Sequence, residues 1–327
     1  MRLGVAGCGR IAERGYVPAA LAAEGVAIAG FADTDAERLQ RCHGLWEAGG
    51  GEPAAAESSV AALLETPLDL LVVAAPAAHH LALAEEAAAA GVPSLVEKPP
   101  APNLAGAERL AALGPPPLLA FNRRFLQGAE LRDEIPAEGW LELDLELRFR
   151  RHAWGAHESR DEALLDAGIH LIDLACHLSG AEPIAVRGAE IAPERATLEL
   201  ELSRGRARIA CATDRSHRET VTVRDRAGKL IARSTWGGMR SRLRSLLGQP
   251  DPLVRSLQHQ LHALRDTTPE LHQLDHPADG QVDAVRGERR LASASDGVAA
   301  MGVVEAARRS AELDGAEVTV AAAEVRS

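Results

Sequence analysis

Four side chains in the middle of this chain have the spacing needed for proton transfer. They lie in the segment Asp166-Ala-Gly-Ile-His170-Leu-Ile-Asp173-Leu-Ala-Cys-His177. At about 100° per residue on a helix, Asp166, Asp173 and His177 fall at about −40°, −60° and −20° from His170, an arc of about 60°. The remaining positions are almost wholly apolar: Leu165, Ile169, Leu171, Ile172, Leu174, Ala175, Cys176 and Leu178. A helix that is apolar nearly all round is buried. Two carboxylates and two imidazoles inside a core are costly unless they have partners. They form either a hydrogen-bonded structural network or the wall of a site. The site is the better reading, because imidazole moves protons near neutral pH and a neighbouring carboxylate orients it.

A second group sits elsewhere in the chain. Lysine occurs only at Lys98 and Lys229, in a sequence that otherwise uses Arg for its cations. A lysine that survives such a bias is a candidate for chemistry. Lys98 lies in Glu97-Lys98-Pro99, directly after an apolar run. If that run is a parallel strand, Lys98 stands at the sheet edge where open α/β sheets bind ligands. There it would donate to a substrate oxygen or to the nicotinamide side of a cofactor. The alternative is a solvated loop lysine.

A dinucleotide site accounts for the N-terminus. An apolar run is followed by Gly7-Cys8-Gly9-Arg10-Ile11-Ala12 and then a helical pattern. This is the G-x-G-x-x-G/A turn in its required context. Gly7 allows the tight turn, Gly9 lets a pyrophosphate approach the backbone, and Ala12 permits close helix packing. Arg10 and Ile11 complete the expected cofactor loop. Asp33 ends the second apolar run, where an acid takes the adenosine ribose hydroxyls. Thr34 and Asp35 follow with no Arg directly behind them, so NAD is preferred over NADP.

The elements that must position these groups divide into two patterns. Residues 1–122 alternate apolar strands with helices: strands at Arg2–Ala6, Val26–Ala32, Leu68–Ala74, Val92–Glu97 and Leu118–Phe121. The intervening helices are expected at Ile11–Glu24, bent near Pro18, then from Asp35, at His80–Ala90 and at Asn103–Leu113. That is a doubly wound parallel sheet covered on both faces. Residues 123–327 differ. Leu141–Arg150 alternates strictly, and Ala196–Ser203, Arg206–Thr213 and Glu219–Arg226 read as further strands. They predict a large, mainly antiparallel open sheet with one polar face. A helix covers Leu164–Leu178, later helices fall near Leu253–Arg265 and Ser293–Leu313, and a last strand covers Glu317–Val320. The fold class is therefore α/β: a Rossmann domain (1–122) followed by an α/β domain (123–327).

Bulk properties narrow the partners. With 36 basic and 47 acidic residues the net charge is −11, which repels a phosphate backbone and argues against nucleic acid. No apolar run is long enough to span a membrane, and the N-terminus lacks a signal-peptide pattern, so the expected compartment is the cytoplasm. Four scattered cysteines show no metal-ligand spacing, and no metal is expected.

The stretches GCGRIA, AAPAAHH, EKPPAPNLAGAERL, AFNRRF, LLDAGIHLIDLACHLSG and SDGVAAMGVVEAARRSAEL, with Asp33, resemble the glucose–fructose oxidoreductase, inositol dehydrogenase and rhizopine-catabolism (Gfo/Idh/MocA) family. The resemblance implies a Rossmann domain followed by an α/β domain whose sheet often forms an oligomer interface, so a homodimer or homotetramer is expected. It implies a cis peptide before Pro99. It implies that Lys98, Asp173 and His177 form the catalytic group: His177 takes the hydroxyl proton, Lys98 hydrogen-bonds the same oxygen, and Asp173 positions substrate and His177. Pro76, His80 and Glu97 would lie beside the cofactor, His80 having a helix-start role as its alternative. Asp166, His170, Arg124 (or Arg123) and Trp154 would face the substrate. The implied reaction is hydride transfer between NAD(P) and a secondary alcohol or ketone of a sugar, cyclitol or sugar derivative. Two alternatives are a redox-neutral enzyme with trapped NAD and a non-catalytic NAD-binding regulator. The family often has Gly-Gly before the catalytic helix, where this chain has Arg160-Asp161-Glu162-Ala163.

Overall fold

The apolar runs of the N-terminal stretch build the sheet that their lack of alternation requires. In the computed structural model, which describes residues 1–126, 128, 131–151, 162–237, 251–273 and 291–321, six strands lie parallel. They are β1 (Arg2–Ala6), β2 (Ala27–Ala32), β3 (Ala55–Glu57), β4 (Leu70–Val73), β5 (Ser94–Val96) and β6 (Leu118–Leu119), in the order β6-β5-β4-β1-β2-β3. β4 is buried at every position, as a central strand covered on both faces must be. The helices are α1 (Val17–Ala22), α2 (Ala36–Ala48), α3 (Val60–Leu63), α4 (His80–Ala89) and α5 (Leu104–Ala111). The chain runs outward from β1 through β2 and β3, then returns to run the other way through β4, β5 and β6. That reversal beside β1 is the topological switch point of a doubly wound sheet. The α/β class predicted from the sequence is the one observed.

The first helix is less regular than expected. Ala12–Tyr16 forms a π-helical turn and α1 follows it. The irregularity falls directly before Pro18, whose ring crowds the carbonyl four residues back, that of Arg14. Pro18 sits in the first turn of α1.

Two compact units exist, and they do not follow two continuous stretches. The first unit holds Met1–Phe125 together with Asp251–Ser295. The expected boundary at 122 lies close to the point where the chain leaves this unit, but residues 251–295 were expected in the other domain. The physical reason is a stripe. Leu257, Leu261 and Leu264, at helical spacing on Pro252–Gln273, are fully buried in the same core as Leu3, Val5, Ile28 and Phe31. A Cβ on Gly15 would stand 2.6 Å from Leu257 Cδ1, so that helix packs directly on the turn before α1. A short strand, Ala292–Ser293, adds an antiparallel edge to β6.

The second unit holds Leu126–Pro250 and Asp296–Ser327. Its sheet contains β7 (Leu141–Arg150), β8 (Pro183–Ala192), β9 (Arg195–Leu202), β10 (Gly205–Ala212), β11 (Asp214–Asp225) and β12 (Leu230–Gly237), in the order β12-β11-β7-β10-β9-β8. The closing strand Val318–Thr319 pairs with β8. All neighbours are antiparallel except β7 and β10. Leu141, Leu143, Leu145 and Leu147 of β7 are buried, as the alternation predicts. One helix, α6 (Ile169–Ser179), packs against β7 and β10. Gly168, just before α6, allows this approach, because a Cβ there would lie 3.3 Å from Cys211 Sγ of β10. Gly180 ends α6 in the left-handed conformation, its N–H bonded to the Cys176 carbonyl at 2.8 Å.

Candidate functional site

In the first unit, the candidate residues collect at the carboxyl ends of the parallel strands. Gly7 follows β1 at φ 96°, and a Cβ there would lie 2.7 Å from the Ala74 backbone. Only glycine fits. Gly9 differs: a Cβ there would meet nothing within 4 Å. Its backbone faces open space, which is the bare approach a pyrophosphate requires. Ala12 is buried at the start of the π turn. Ile11 is half-buried, and Arg10 is exposed and paired with Glu13 at 3.2 Å.

Asp33 follows β2 and ties the glycine loop in place. Its Oδ2 accepts from Cys8 N–H at 2.7 Å and its Oδ1 from Asp35 N–H at 2.8 Å. A carboxylate offers about four acceptor sites, so two remain for hydroxyl donors such as those of a ribose. Asp35 caps α2 through Glu37 N–H and Arg38 N–H. The Arg38 N–H bond, first of several causes, holds its carboxyl below the usual range. Asp35 also holds the first cation of α2, Arg38, at 3.2 Å. The loop therefore fits a dinucleotide: open backbone at Gly9, a carboxylate at the end of β2, and acids where a 2′-phosphate would fall.

The segments after β4 and β5 meet at one imidazole. Pro76 opens a single turn, Ala77–His79, ahead of α4. His80 Nε2 lies 2.8 Å from the Ala75 carbonyl and Nδ1 lies 3.3 Å from the Pro100 carbonyl. Burial holds this imidazole below its ordinary value against the pull of those carbonyls. The neutral ring has one N–H, and the shorter contact marks it as donated to Ala75. His80 is 1% exposed. It is the first residue of α4, the helix-start place that the sequence offers beside a cofactor contact, and its ring is held by the Ala75 carbonyl.

Glu97, directly after β5, is held in a similar way. Its Oε1 accepts from the Tyr16 hydroxyl at 2.7 Å, and its Oε2 accepts from Lys98 N–H at 3.2 Å. Burial pushes its carboxyl up, while Tyr16, Lys98 and Arg123 oppose the rise. Expected as a cofactor contact, it is 6% exposed with both oxygens on donors of the chain. The peptide between Lys98 and Pro99 is cis, as the resemblance implies. Tyr16 is a residue the sequence reading missed. A buried tyrosine needs a partner for its hydroxyl, but no spacing rule links it to a carboxylate 81 positions away. Arg124, expected to face the substrate, is buried, with Nη1 donating to the Leu291 carbonyl at 3.3 Å.

In the second unit, α6 carries His170, Asp173 and His177. His170 and Asp173 are buried and His177 is half-buried. Asp173 and His177 are one helical turn apart and share a face. The wheel arithmetic holds for these three. It does not hold for Asp166, which lies in the π turn Leu164–Gly168 and advances by less than a normal helical step. Arg151 Nε and Nη2 donate to Asp166 Oδ2 at 3.1 and 3.0 Å. Trp154 lies outside the described residues. Among the described residues, no three His, Cys, Asp or Glu side chains are grouped to hold a metal, and no helix is long and apolar enough to cross a membrane.

Comparison with known proteins agrees with this geometry. Residues 1–114 match the model of the GFO_IDH_MocA oxidoreductase family, NAD-binding Rossmann fold. Solved structures share the fold over nearly the whole chain. An oxidoreductase from Agrobacterium radiobacter, in complex with NAD+, L-tartaric acid and magnesium, is 18% identical, with 98% of each chain covered and a TM-score of 0.72. A myo-inositol dehydrogenase from Lactobacillus casei, in complex with NAD(H) and myo-inositol, is 17% identical over 98% of this chain and 97% of its own, with a TM-score of 0.72. A scyllo-inositol dehydrogenase from the same organism, with NAD(H) and scyllo-inositol, is 13% identical over 98% of this chain and 99% of its own, with a TM-score of 0.73. A search of curated proteins finds no match. The family match thus covers the N-terminal part of the chain, residues 1–114, with its NAD-binding Rossmann fold.

Proposed function

We propose that this chain is an NAD-dependent dehydrogenase or reductase acting on a secondary alcohol or ketone of a sugar, cyclitol or related polyol. The observation that carries the reading is the sheet edge. Gly7, the open backbone at Gly9, Asp33 and the Lys98 loop all follow the carboxyl ends of strands around the switch point. The polyol class is supported by the inositol dehydrogenases that share the fold.

NAD, when bound, supplies or accepts the hydride. The roles of the chain's own residues are then these. Gly9 leaves room for the pyrophosphate, and Asp33 accepts from the ribose hydroxyls. Lys98 donates a hydrogen bond to the substrate oxygen and stabilises charge growing on it. His177 takes the hydroxyl proton during oxidation and returns it during reduction. Asp173 orients His177, and His170 lines the substrate side.

The test is turnover of free NAD(H) across a panel of sugars, cyclitols and hydroxy acids. At least one polyol should be oxidised, and Lys98→Ala and His177→Ala should each lower kcat/KM by about 10²–10⁴-fold. A wild-type protein that binds NADH but turns over nothing in the panel overturns the reading. So does normal activity in either variant.

A further inference from the structure

The buried pair Tyr16–Glu97 lies between the two functional loops of the first unit. Tyr16 ends the π turn that starts at the glycine loop. Glu97 follows β5 and precedes Lys98. One carboxylate oxygen takes the phenol and the other takes the backbone N–H of Lys98, while Glu97 N–H bonds the Val73 carbonyl at 3.0 Å. The side chain of Glu97 therefore joins the helix turn after the glycine loop to the Lys98 loop, and its backbone N–H ties both to β4. We propose that Tyr16 is a positioning residue for the reaction: its hydroxyl holds the Glu97 carboxylate, which in turn anchors the backbone of Lys98. The proposal rests on the role given to Lys98 above.

The chemistry points one way. Burial and the Glu97 charge hold the Tyr16 phenol well above its ordinary value, so it remains a donor. The groups facing Glu97 are Tyr16 from the turn before α1, Lys98 from its own loop and Arg123 from the segment after β6. All three favour the carboxylate, and burial opposes them. Loss of the hydroxyl leaves Oε1 without its donor and moves Glu97 further toward the protonated form. A protonated Glu97 is a weaker acceptor for Lys98 N–H and places no negative charge beside that loop.

Two measurements test this. In Tyr16→Phe the acid limb of the kcat profile should move up by about one pH unit, so that kcat below the limb falls about tenfold. The KM for NAD should stay within about twofold. A purely structural tyrosine would instead lower kcat evenly across pH, and that result overturns the proposal. The second measurement needs no substrate. Tyr16 is the one tyrosine in the sequence, so tyrosine labelled with ¹³C at the ring carbon bearing the hydroxyl gives one NMR signal. As pH rises above the ordinary carboxylate range, that signal should titrate with Glu97 in the wild type and stay flat in Glu97→Gln. A flat wild-type signal, or the same titration in Glu97→Gln, overturns the proposal. If Lys98→Ala is fully active while the tyrosine signal titrates as expected, the role of Lys98 fails and the Tyr16–Glu97 coupling stands.

Discussion

Charge is handled in opposite ways at the edge of the first sheet and on the outer face of the second. At the edge, Glu97, Tyr16 and His80 are almost completely buried, and the Glu97 oxygens, the Tyr16 hydroxyl and His80 Nε2 each meet one specific partner. On the outer face, Glu142 pairs with Arg206, Asp144 with Arg224, and Glu199 with both Arg187 and Arg208, all partly open to solvent. The difference is desolvation. A buried charge is tolerated only where its hydrogen bonds are supplied. An exposed one keeps water as an alternative partner, and a single pair contributes little. The edge is therefore specific at each atom, whereas the outer face tolerates exchange.

The largest effect should come from the backbone of the edge. Gly7→Ala places a Cβ 2.7 Å from the Ala74 backbone at φ 96° and should cost about 3 kcal/mol or more in chemical denaturation. Gly9→Ala meets nothing within 4 Å. It should leave the denaturation midpoint unchanged while weakening NADH binding about tenfold or more, read by fluorescence titration. If Gly9→Ala destabilises the chain as much as Gly7→Ala, the distinction between strain and ligand approach fails.

A middle-sized effect should appear in stability against pH. The folded state holds Glu97 above the usual carboxylate range, so it binds that proton more tightly than the unfolded chain does. Stability then falls as pH rises from the unfolded value through the folded one. Glu97→Gln keeps an acceptor for Tyr16 and removes the buried charge. Its gain in Tm over wild type should be small near about pH 4 and larger near about pH 8. A gain that shrinks with rising pH would contradict the burial argument. The smallest effect belongs to the outer face. A double-mutant cycle on Asp144→Ala and Arg224→Ala should give a coupling of no more than about 1 kcal/mol, falling with added salt. A larger, salt-insensitive coupling would show that the two regions are not so different.

What could be read from the sequence was local. The turn at Gly7 and Gly9 and the apolar strands β1, β2, β4 and β5 carry their signal within a few residues. β7 shows itself through strict alternation. β3 was missed because Ala55–Glu57 has neither a long apolar run nor alternation. β8 was missed because register shifts at Pro183/Ala185 and Arg187/Glu190 break its period. Asp166 was placed with helical arithmetic that a π turn invalidates. The site had the same limit. Gly7, Gly9 and Asp33 are motif positions, whereas the partner of Glu97 and the two carbonyls on His80 depend on chain segments that meet only in the fold.

One arrangement bears on how the protein is made. The core of the first domain is completed by Leu257, Leu261 and Leu264. During synthesis the six parallel strands emerge long before the helix that covers their core. Until Pro252–Gln273 has left the ribosome, Tyr16 and its apolar neighbours lack that cover, and the nascent domain is exposed to chaperones and to aggregation. The closing contacts span most of the polypeptide, which favours slow final folding over early local closure. The nucleotide loop is encoded first, yet the core behind it is among the last parts of the molecule to be sealed.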